Sequence, residues 1–214
     1  MTTSHYPEGE TPSNADIELA LAEAVQVVEE KGLPYLLMGG AGSVTFGRDR
    51  VTDDVDLFVR PEDAGRVLDV LGAAGFETTE TDLAWLHKAF RHGVLVDVIF
   101  RSAGNVTLDD EMLRRGLRRA YRGTDARIMC PEDLIVIKAV ATSEEATRHW
   151  YDALALVARC ELDWDYVLRR SRETGPRRML SLLLYAESND LPVPAWVTES
   201  LFAIVHRSPG AEPS

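Results

Sequence analysis

Apolar residues first recur with the period of an α-helix shortly after residue 15. Gly32 and Pro34 follow the last of them, where a helix cap and a helix terminator are expected. The pattern therefore predicts one amphipathic helix, preceded by a disordered lead-in over residues 1–14. The residues that share its apolar face are Ile17, Leu21, Ala24, Val25 and Val28.

After this helix the apolar positions come in short runs, which is the pattern of strands. Pro61 suits the first turn of a helix between two runs, and His92-Gly93 suits a hairpin turn. The helical period returns from residue 131, and Thr142-Ser143-Glu144-Glu145 resembles a capping box that starts a helix. The predicted strands are 35–38, 55–59, 76–79, 88–91, 94–100 and 126–129, and the later helices begin at 131, 142, 164, 177 and 195.

This order of elements predicts an α/β (α+β) fold class with two parts. Strands and flanking helices alternate over residues 15–128, and residues 129–214 form a C-terminal helical domain. A chain of 214 residues is long enough for one core domain and a smaller appendage.

Composition limits the partners and the cellular location that we expect for the protein. The net charge of −12 argues against extended nucleic-acid binding, which depends on clustered positive charge. The chain has no apolar run near the roughly 20 residues of a membrane helix, its N-terminus does not resemble a signal peptide, and its two cysteines are too few for a disulfide framework. We therefore expect a cytoplasmic protein with no membrane partner.

The segment Gly39-Gly40-Ala41-Gly42-Ser43 directly follows a predicted strand. Glycines at a strand-to-helix junction let backbone N–H groups approach a phosphate, and the Ser43 hydroxyl could donate to the same phosphate. A glycine-rich turn without a ligand is the alternative.

Two carboxylates, Asp54 and Asp56, are spaced so that they point to the same face of a strand. Side by side they repel each other, and a divalent cation with hard oxygen ligands removes that cost. A solvated strand face or a cluster of helix-capping residues is the alternative.

Asp97 is the one charge within an apolar run, and it needs a partner. If its strand lies beside that of Asp54 and Asp56, the three carboxylates could hold two metal ions roughly 3.5–4 Å apart. Pairing with an arginine such as Arg91 is the alternative.

These motifs together resemble the DNA polymerase β-like nucleotidyltransferase superfamily, and most closely its bacterial minimal and abortive-infection-type (AbiEii-like) members. The match is good over residues 33–101 and looser in the helical half, where Lys138 and Asp152 carry it. The resemblance implies a mixed sheet of the nucleotidyltransferase type. The matching residues are Gly39, Gly40, Ser43, Arg50, Asp54, Asp56 and Asp97.

The resemblance implies a role for each of these residues. Asp54 and Asp56 would bind Mg²⁺ or Mn²⁺, and Asp97 would be a third ligand or a general base. The triphosphate would contact Gly39, Gly40, Ser43, Arg50 and Lys138, and Asp152 would support the site. Three of these have alternatives: Arg50 could pair with Asp53, Lys138 could extend to the surface, and Asp152 could be an ordinary surface carboxylate.

The implied function is Mg²⁺-dependent transfer of a nucleoside monophosphate from an NTP substrate to a hydroxyl, with release of pyrophosphate. The acceptor could be a small molecule, a tRNA end or a protein. The alternatives are a toxin-like enzyme that modifies tRNA, with an antitoxin as partner, and a non-catalytic module that binds a nucleotide or a partner. A homo-oligomer is a further possible assembly.

One dense basic stretch stands apart from these motifs: Arg114, Arg115, Arg118, Arg119 and Arg122. It could contact the backbone of an RNA acceptor. A solvated helix face is the alternative that we favour.

Overall fold

The computed structural model describes residues 12–206. Most of the predicted lead-in, residues 1–11, lies outside this range. Ser13 and Asn14, which we assigned to the lead-in, instead cap and begin the first helix, because Ser13 and Asp16 form a reciprocal capping box.

The described residues form nine α-helices and a seven-stranded mixed sheet. The strands are β1 Tyr35–Leu37, β2 Val55–Val59, β3 Glu77–Asp82, β4 Leu86–Arg91, β5 Val94–Ile99, β6 Leu117–Tyr121 and β7 Thr124–Ile128. The helices are α1 Asn14–Glu30, α2 Gly39–Thr45, α3 Ala64–Ala73, α4 Asp110–Arg115, α5 Pro131–Ala141, α6 Arg148–Arg159, α7 Trp164–Thr174, α8 Pro176–Glu187 and α9 Ala195–His206. None of these helices is long and apolar enough to cross a membrane.

The chain divides into two compact units. The first unit holds the described residues up to Thr45 together with Asp49–Ser102 and Thr107–Cys130. The second unit holds Phe46–Arg48, Ala103–Val106 and the described residues from Pro131 onward.

The first unit is built on the sheet, with strand order β3-β4-β5-β2-β1-β7-β6. The pairs β2/β5 and β1/β7 are parallel, and the other neighbours are antiparallel. Helices α1 and α3 pack on the sheet and bury their apolar stripes against it. The central strands β1, β2 and β5 are almost wholly buried, whereas all six side chains of the edge strand β3 are exposed.

The second unit is helical and centres on α5, where Pro131 to Ala139 are all buried. Helices α6, α7 and α8 pack against α5. The buried carboxylate of Asp133 accepts hydrogen bonds from Tyr166 Oη, at 2.9 and 3.0 Å, and from Arg170 Nε, at 3.1 Å. A charged group inside this helix packing therefore has partners, as burial requires.

The structure confirms the α/β fold class and most of the predicted elements. The helix predicted to begin near residue 142 is an error, because α6 begins at Arg148. The Thr142 hydroxyl donates to the Lys138 carbonyl at 2.8 Å, so this residue closes the end of α5 and does not cap α6.

The favoured interpretation of the basic stretch as one helix face is also wrong. Helix α4 ends at Arg115, and Arg118 and Arg119 lie on strand β6. Gly116, with φ −56° and ψ 132°, turns the chain from helix to strand. The hairpin that follows turns at Arg122 and Gly123, both of which have positive φ.

Candidate functional site

The three aspartates singled out in the sequence come together at the centre of the sheet. Strands β2 and β5 are parallel neighbours, and their register places Asp56 directly opposite Asp97. Asp54 immediately precedes β2. One carboxylate oxygen from each of the three residues lies within 4.8 Å of the other two.

Asp97 is the carboxylate of the three that has a buried oxygen without a hydrogen bond. Its Oδ1 is buried and has no hydrogen-bond partner in residues 12–206. Burial raises the pKa of Asp97 to about 6; Lys88 opposes the rise and Asp54 adds to it. The alternative pairing of Asp97 with Arg91 is wrong, because the Arg91 guanidinium donates to Glu23 Oε2 at 2.8 Å and to the Gly75 carbonyl at 2.7 Å.

The donor set fits a divalent cation. Three carboxylates offer the hard oxygen ligands that Mg²⁺ and Mn²⁺ accept, and their closeness is costly without a cation between them. The buried Oδ1 of Asp97, without a hydrogen-bond partner among residues 12–206, leaves this carboxylate able to take a further ligand.

The glycine-rich segment forms helix α2, and whether it binds a phosphate or has no ligand stays open. Gly39 has φ +56°, and a Cβ at this residue would lie 1.8 Å from Asp56 Oδ2. A Cβ on Gly40 would lie 2.2 Å from Thr52 Oγ1 and 2.8 Å from an Arg50 nitrogen. Gly39 therefore lets the start of α2 lie against the acidic cluster, and Gly40 lets it lie against Thr52 and Arg50.

The remaining residues predicted to bind phosphate lie close to this helix start. The Ser43 hydroxyl is buried and donates to the Gly39 carbonyl at 3.1 Å. Arg50 donates from Nη1 to the carbonyl of Val51 at 3.1 Å, and its side chain lies beside Gly40. Contact of either residue with a phosphate stays a prediction.

Sequence reasoning missed two residues that hold the loop before β2. Thr52 Oγ1 donates to Asp54 Oδ1 at 2.6 Å. Arg122 donates from Nη2 to the Thr52 carbonyl at 3.1 Å and from Nη1 to Asn14 Oδ1 at 3.1 Å. A threonine two residues before an aspartate was a readable signal for the first contact, whereas no sequence signal places Arg122 here.

Lys138 and Asp152 contact each other in the second unit. Lys138 Nζ lies 2.9 Å from Asp152 Oδ2, and Arg48 Nε lies 3.2 Å from Asp152 Oδ1. Lys138 is 3% exposed and Asp152 is 0% exposed. Both surface alternatives are therefore wrong, and a role in nucleotide binding stays a prediction for both residues.

Two arginines of the basic stretch pair with carboxylates nearby. Arg118 pairs with Glu29 and Asp125, each at 2.9 Å, and Arg115 lies 3.6 Å from Glu111. These pairs leave less charge for an RNA backbone than the sequence alone indicates.

One comparison shows the family of the chain, and another shows its fold. The sequence model of a family described as uncharacterised nucleotidyltransferases matches residues 12–188. No curated protein matches the chain.

Several solved structures are similar to the chain at low sequence identity. The antibiotic-resistance factor ANT(2″)-Ia is 16% identical, with 83% of this chain and 95% of that chain covered and a TM-score of 0.52. An antigenic nucleotidyltransferase-like protein from Paracoccidioides brasiliensis is 16% identical, with coverages of 90% and 94% and a TM-score of 0.52. The lincosamide antibiotic adenylyltransferase LnuA is 14% identical, with coverages of 67% and 98% and a TM-score of 0.49.

Proposed function

The chain belongs to the uncharacterised nucleotidyltransferase family, and on that basis we propose that it transfers a nucleoside monophosphate from an NTP to a hydroxyl acceptor with release of pyrophosphate. The proposed metal ligands are Asp54, Asp56 and Asp97, with Mg²⁺ or Mn²⁺ as the cation. A cation bound there would stabilise negative charge on the reacting phosphate and favour ionisation of the attacking hydroxyl.

One observation carries this proposal. The acidic cluster and the start of α2 touch, because Gly39 lies against Asp56 with no room for a side chain. A phosphate chain on the amides of α2 would therefore place its reactive end beside the carboxylates.

Separate residues would bind the triphosphate and accept the proton. The amides of Gly39 and Gly40, the Ser43 hydroxyl and Arg50 would hold the triphosphate. The acceptor oxygen attacks the α-phosphorus, the bond to the pyrophosphate oxygen breaks, and the hydroxyl proton goes to Asp97 or to water. The Oδ1 of Asp97, which has no hydrogen-bond partner among residues 12–206, suits it to accept that proton.

The decisive experiment is transfer of label from NTPs radiolabelled at the α-phosphate. Purified protein is incubated with Mg²⁺ and fractionated cell extract, and the same is done with Asp54→Asn/Asp56→Asn. Asp53→Asn is the matched control, because it removes a neighbouring carboxylate outside the cluster. Labelling that needs the metal and both aspartates supports the proposal. Nucleotide binding without any labelled product would instead support the non-catalytic module.

The finer assignments are part of the same proposal. A small molecule, a tRNA end and a protein hydroxyl are the candidate acceptors, and the labelled fraction identifies the class. Labelling of tRNA alone would favour the toxin-like, abortive-infection-type enzyme with an antitoxin partner. A cytoplasmic location and a homo-oligomer also stay predictions.

A further inference from the structure

A row of polar residues crosses four neighbouring strands of the sheet in register. Asp56 on β2 lies opposite Asp97 on β5, Asp97 lies opposite Lys88 on β4, and Lys88 lies opposite Thr79 on β3. Residues opposite each other in neighbouring strands point to the same face of the sheet. Lys88 therefore lies on the same face as the acidic cluster and directly beside Asp97.

Lys88 is a half-buried lysine without a fixed partner. Its ammonium makes no hydrogen bond or ion pair with any residue of the described range 12–206. Asp97 on β5 lies directly opposite it, and Glu77 on β3 lies opposite Phe90, two residues further along β4 on the same face. Neither carboxylate forms an ion pair with Lys88. The Lys88 ammonium is not among the buried unpartnered atoms of the described residues, so an anion from solvent can reach it.

The position of Lys88 relative to α2 indicates which side of the reacting phosphorus it lies on. Along the row, α2 contacts Asp56, and Lys88 is two strands further, beyond Asp97. In nucleotidyl transfer the attacking and leaving oxygens are roughly in line on opposite sides of the phosphorus. If α2 holds the leaving pyrophosphate, the acceptor hydroxyl lies on the side of Asp97 and Lys88.

We propose that Lys88 binds an anionic group of the acceptor, so that the substrate is a hydroxyl compound with a phosphate close to the reacting hydroxyl. This inference rests on the proposed function. A phosphorylated sugar and the 3′ end of an RNA both supply that chemistry, because each has a hydroxyl and a phosphate within a few bonds.

Charge balance supports this role for Lys88. In the free protein the negative charge of Asp97 partly offsets the ammonium of Lys88. A divalent cation on the three carboxylates removes that offset, and the positive charge at Lys88 then attracts an anion more strongly. The anion-binding site would thus be stronger with the metal bound than in the metal-free protein.

The test measures binding to a complex that cannot turn over. Protein loaded with Mn²⁺ and α,β-methylene ATP is titrated with ribose 5-phosphate, with ribose, and with a short RNA that ends in a 3′-hydroxyl. The variants are Lys88→Met, which keeps most of the apolar stem, and Lys88→Arg, which keeps the charge. Lys31→Met is the matched control, because Lys31 is an exposed lysine at the end of α1.

We expect ribose 5-phosphate or the RNA to bind the loaded wild type, and ribose to bind about tenfold more weakly. We expect Lys88→Met to lower the affinity for the anionic probe about tenfold. Lys88→Arg and Lys31→Met should bind the probe like the wild type, and affinity for Mn²⁺ and the nucleotide analogue should change little in any variant. The probe that binds distinguishes a small-molecule acceptor from an RNA end.

Three results would overturn the inference while leaving the proposed function intact. The first is equal binding of ribose and ribose 5-phosphate, and the second is that neither anionic probe binds. The third is that Lys88→Met loses affinity for the nucleotide or the metal but binds the anionic probe as before. If the wild type binds neither Mn²⁺ nor the analogue, the proposed function itself fails and the inference fails with it.

Discussion

Gly39 and Asp56 are so close that a single added carbon at position 39 would lie 1.8 Å from a carboxylate oxygen of Asp56. The contact joins the start of α2 to the acidic cluster. The backbone of Gly39, with φ +56°, is also one that side chains disfavour.

Gly39→Ala should therefore destabilise the protein by at least about 2 kcal/mol, since a strained backbone and a clash act together. It should also weaken Mn²⁺ binding, because Asp56 must move. Gly65→Ala is the matched control: Gly65 is exposed in α3 with open space at its Cβ, so the change should stabilise by about 0.5–1 kcal/mol. Urea denaturation and Mn²⁺ titration of both variants test this, and equal stabilities would contradict it.

Asp56→Asn should abolish the stabilisation that Mg²⁺ gives to the folded state. The wild type should gain about 2.7 kcal/mol at a Mg²⁺ concentration one hundred times Kd, because the cation binds only the folded cluster. Without metal, the variant should be at least as stable as the wild type, since one repulsive charge is gone. Thermal melts with Mg²⁺ and with EDTA measure both effects, and nucleotidyl transfer should fall on the order of a thousandfold. Asp53→Asn should behave like the wild type in all three measurements.

The raised pKa of Asp97, about 6 in the folded protein against 3.8 as its ordinary value, predicts a pH-dependent stability. Between these two values the folded state holds a proton that the unfolded state releases. Stability of the metal-free protein should therefore fall as the pH rises from about 4 to about 6, by about 3 kcal/mol from this group.

Asp97→Asn should remove this component and be more stable than the wild type at neutral pH in EDTA. Denaturation curves over the same pH range measure the difference. Because protons and cations compete for Asp97, Mn²⁺ should also bind the wild type more tightly at pH 7 than at pH 5. A wild type and an Asp97→Asn variant with parallel pH profiles would refute the prediction.

Thr52→Val should weaken Mn²⁺ binding about tenfold, the usual cost of removing a group that orients a metal ligand. The valine keeps the shape of the side chain but loses the 2.6 Å hydrogen bond to Asp54. Thr78→Val makes the same chemical change at an exposed position on β3 and should leave binding unchanged. Isothermal titration of both variants decides whether the hydrogen bond orients Asp54.

Lys138→Met should cost about 3–5 kcal/mol of stability, because it leaves the wholly buried Asp152 with less compensating charge. Lys138→Met/Asp152→Leu should be less destabilised than the sum of its two single variants. Lys31→Met, at an exposed lysine, should change stability by less than about 0.5 kcal/mol. Additive effects in the double variant would show that the two residues do not depend on each other.

The central strands and the carboxylates were predictable because their signals are local. Val55 to Val59 and Val94 to Ile99 are apolar runs in which a single charge is conspicuous, and both form buried strands. The sequence suggested that Asp54, Asp56 and Asp97 could meet, but the parallel register that sets Asp56 opposite Asp97 depends on the whole sheet.

Other features were not predictable because tertiary contacts decide them. Strand β6 has the composition of a charged helix face, and it is a strand because it pairs with β7 and because Arg118 finds Glu29 on α1. The place of Lys88 beside Asp97 depends on how β4 pairs with β5. No local pattern shows that Gly39 touches Asp56 across the turn from β1 to α2.

The fully exposed strand β3 has a consequence for the behaviour of the protein in concentrated solution. An unpaired sheet edge offers backbone groups on which a strand from another molecule can add. Glu77, Glu80 and Asp82 place three negative charges along six residues of this edge. A second copy that approached edge to edge would meet the same charges, and their repulsion would keep β3 from starting a growing intermolecular sheet.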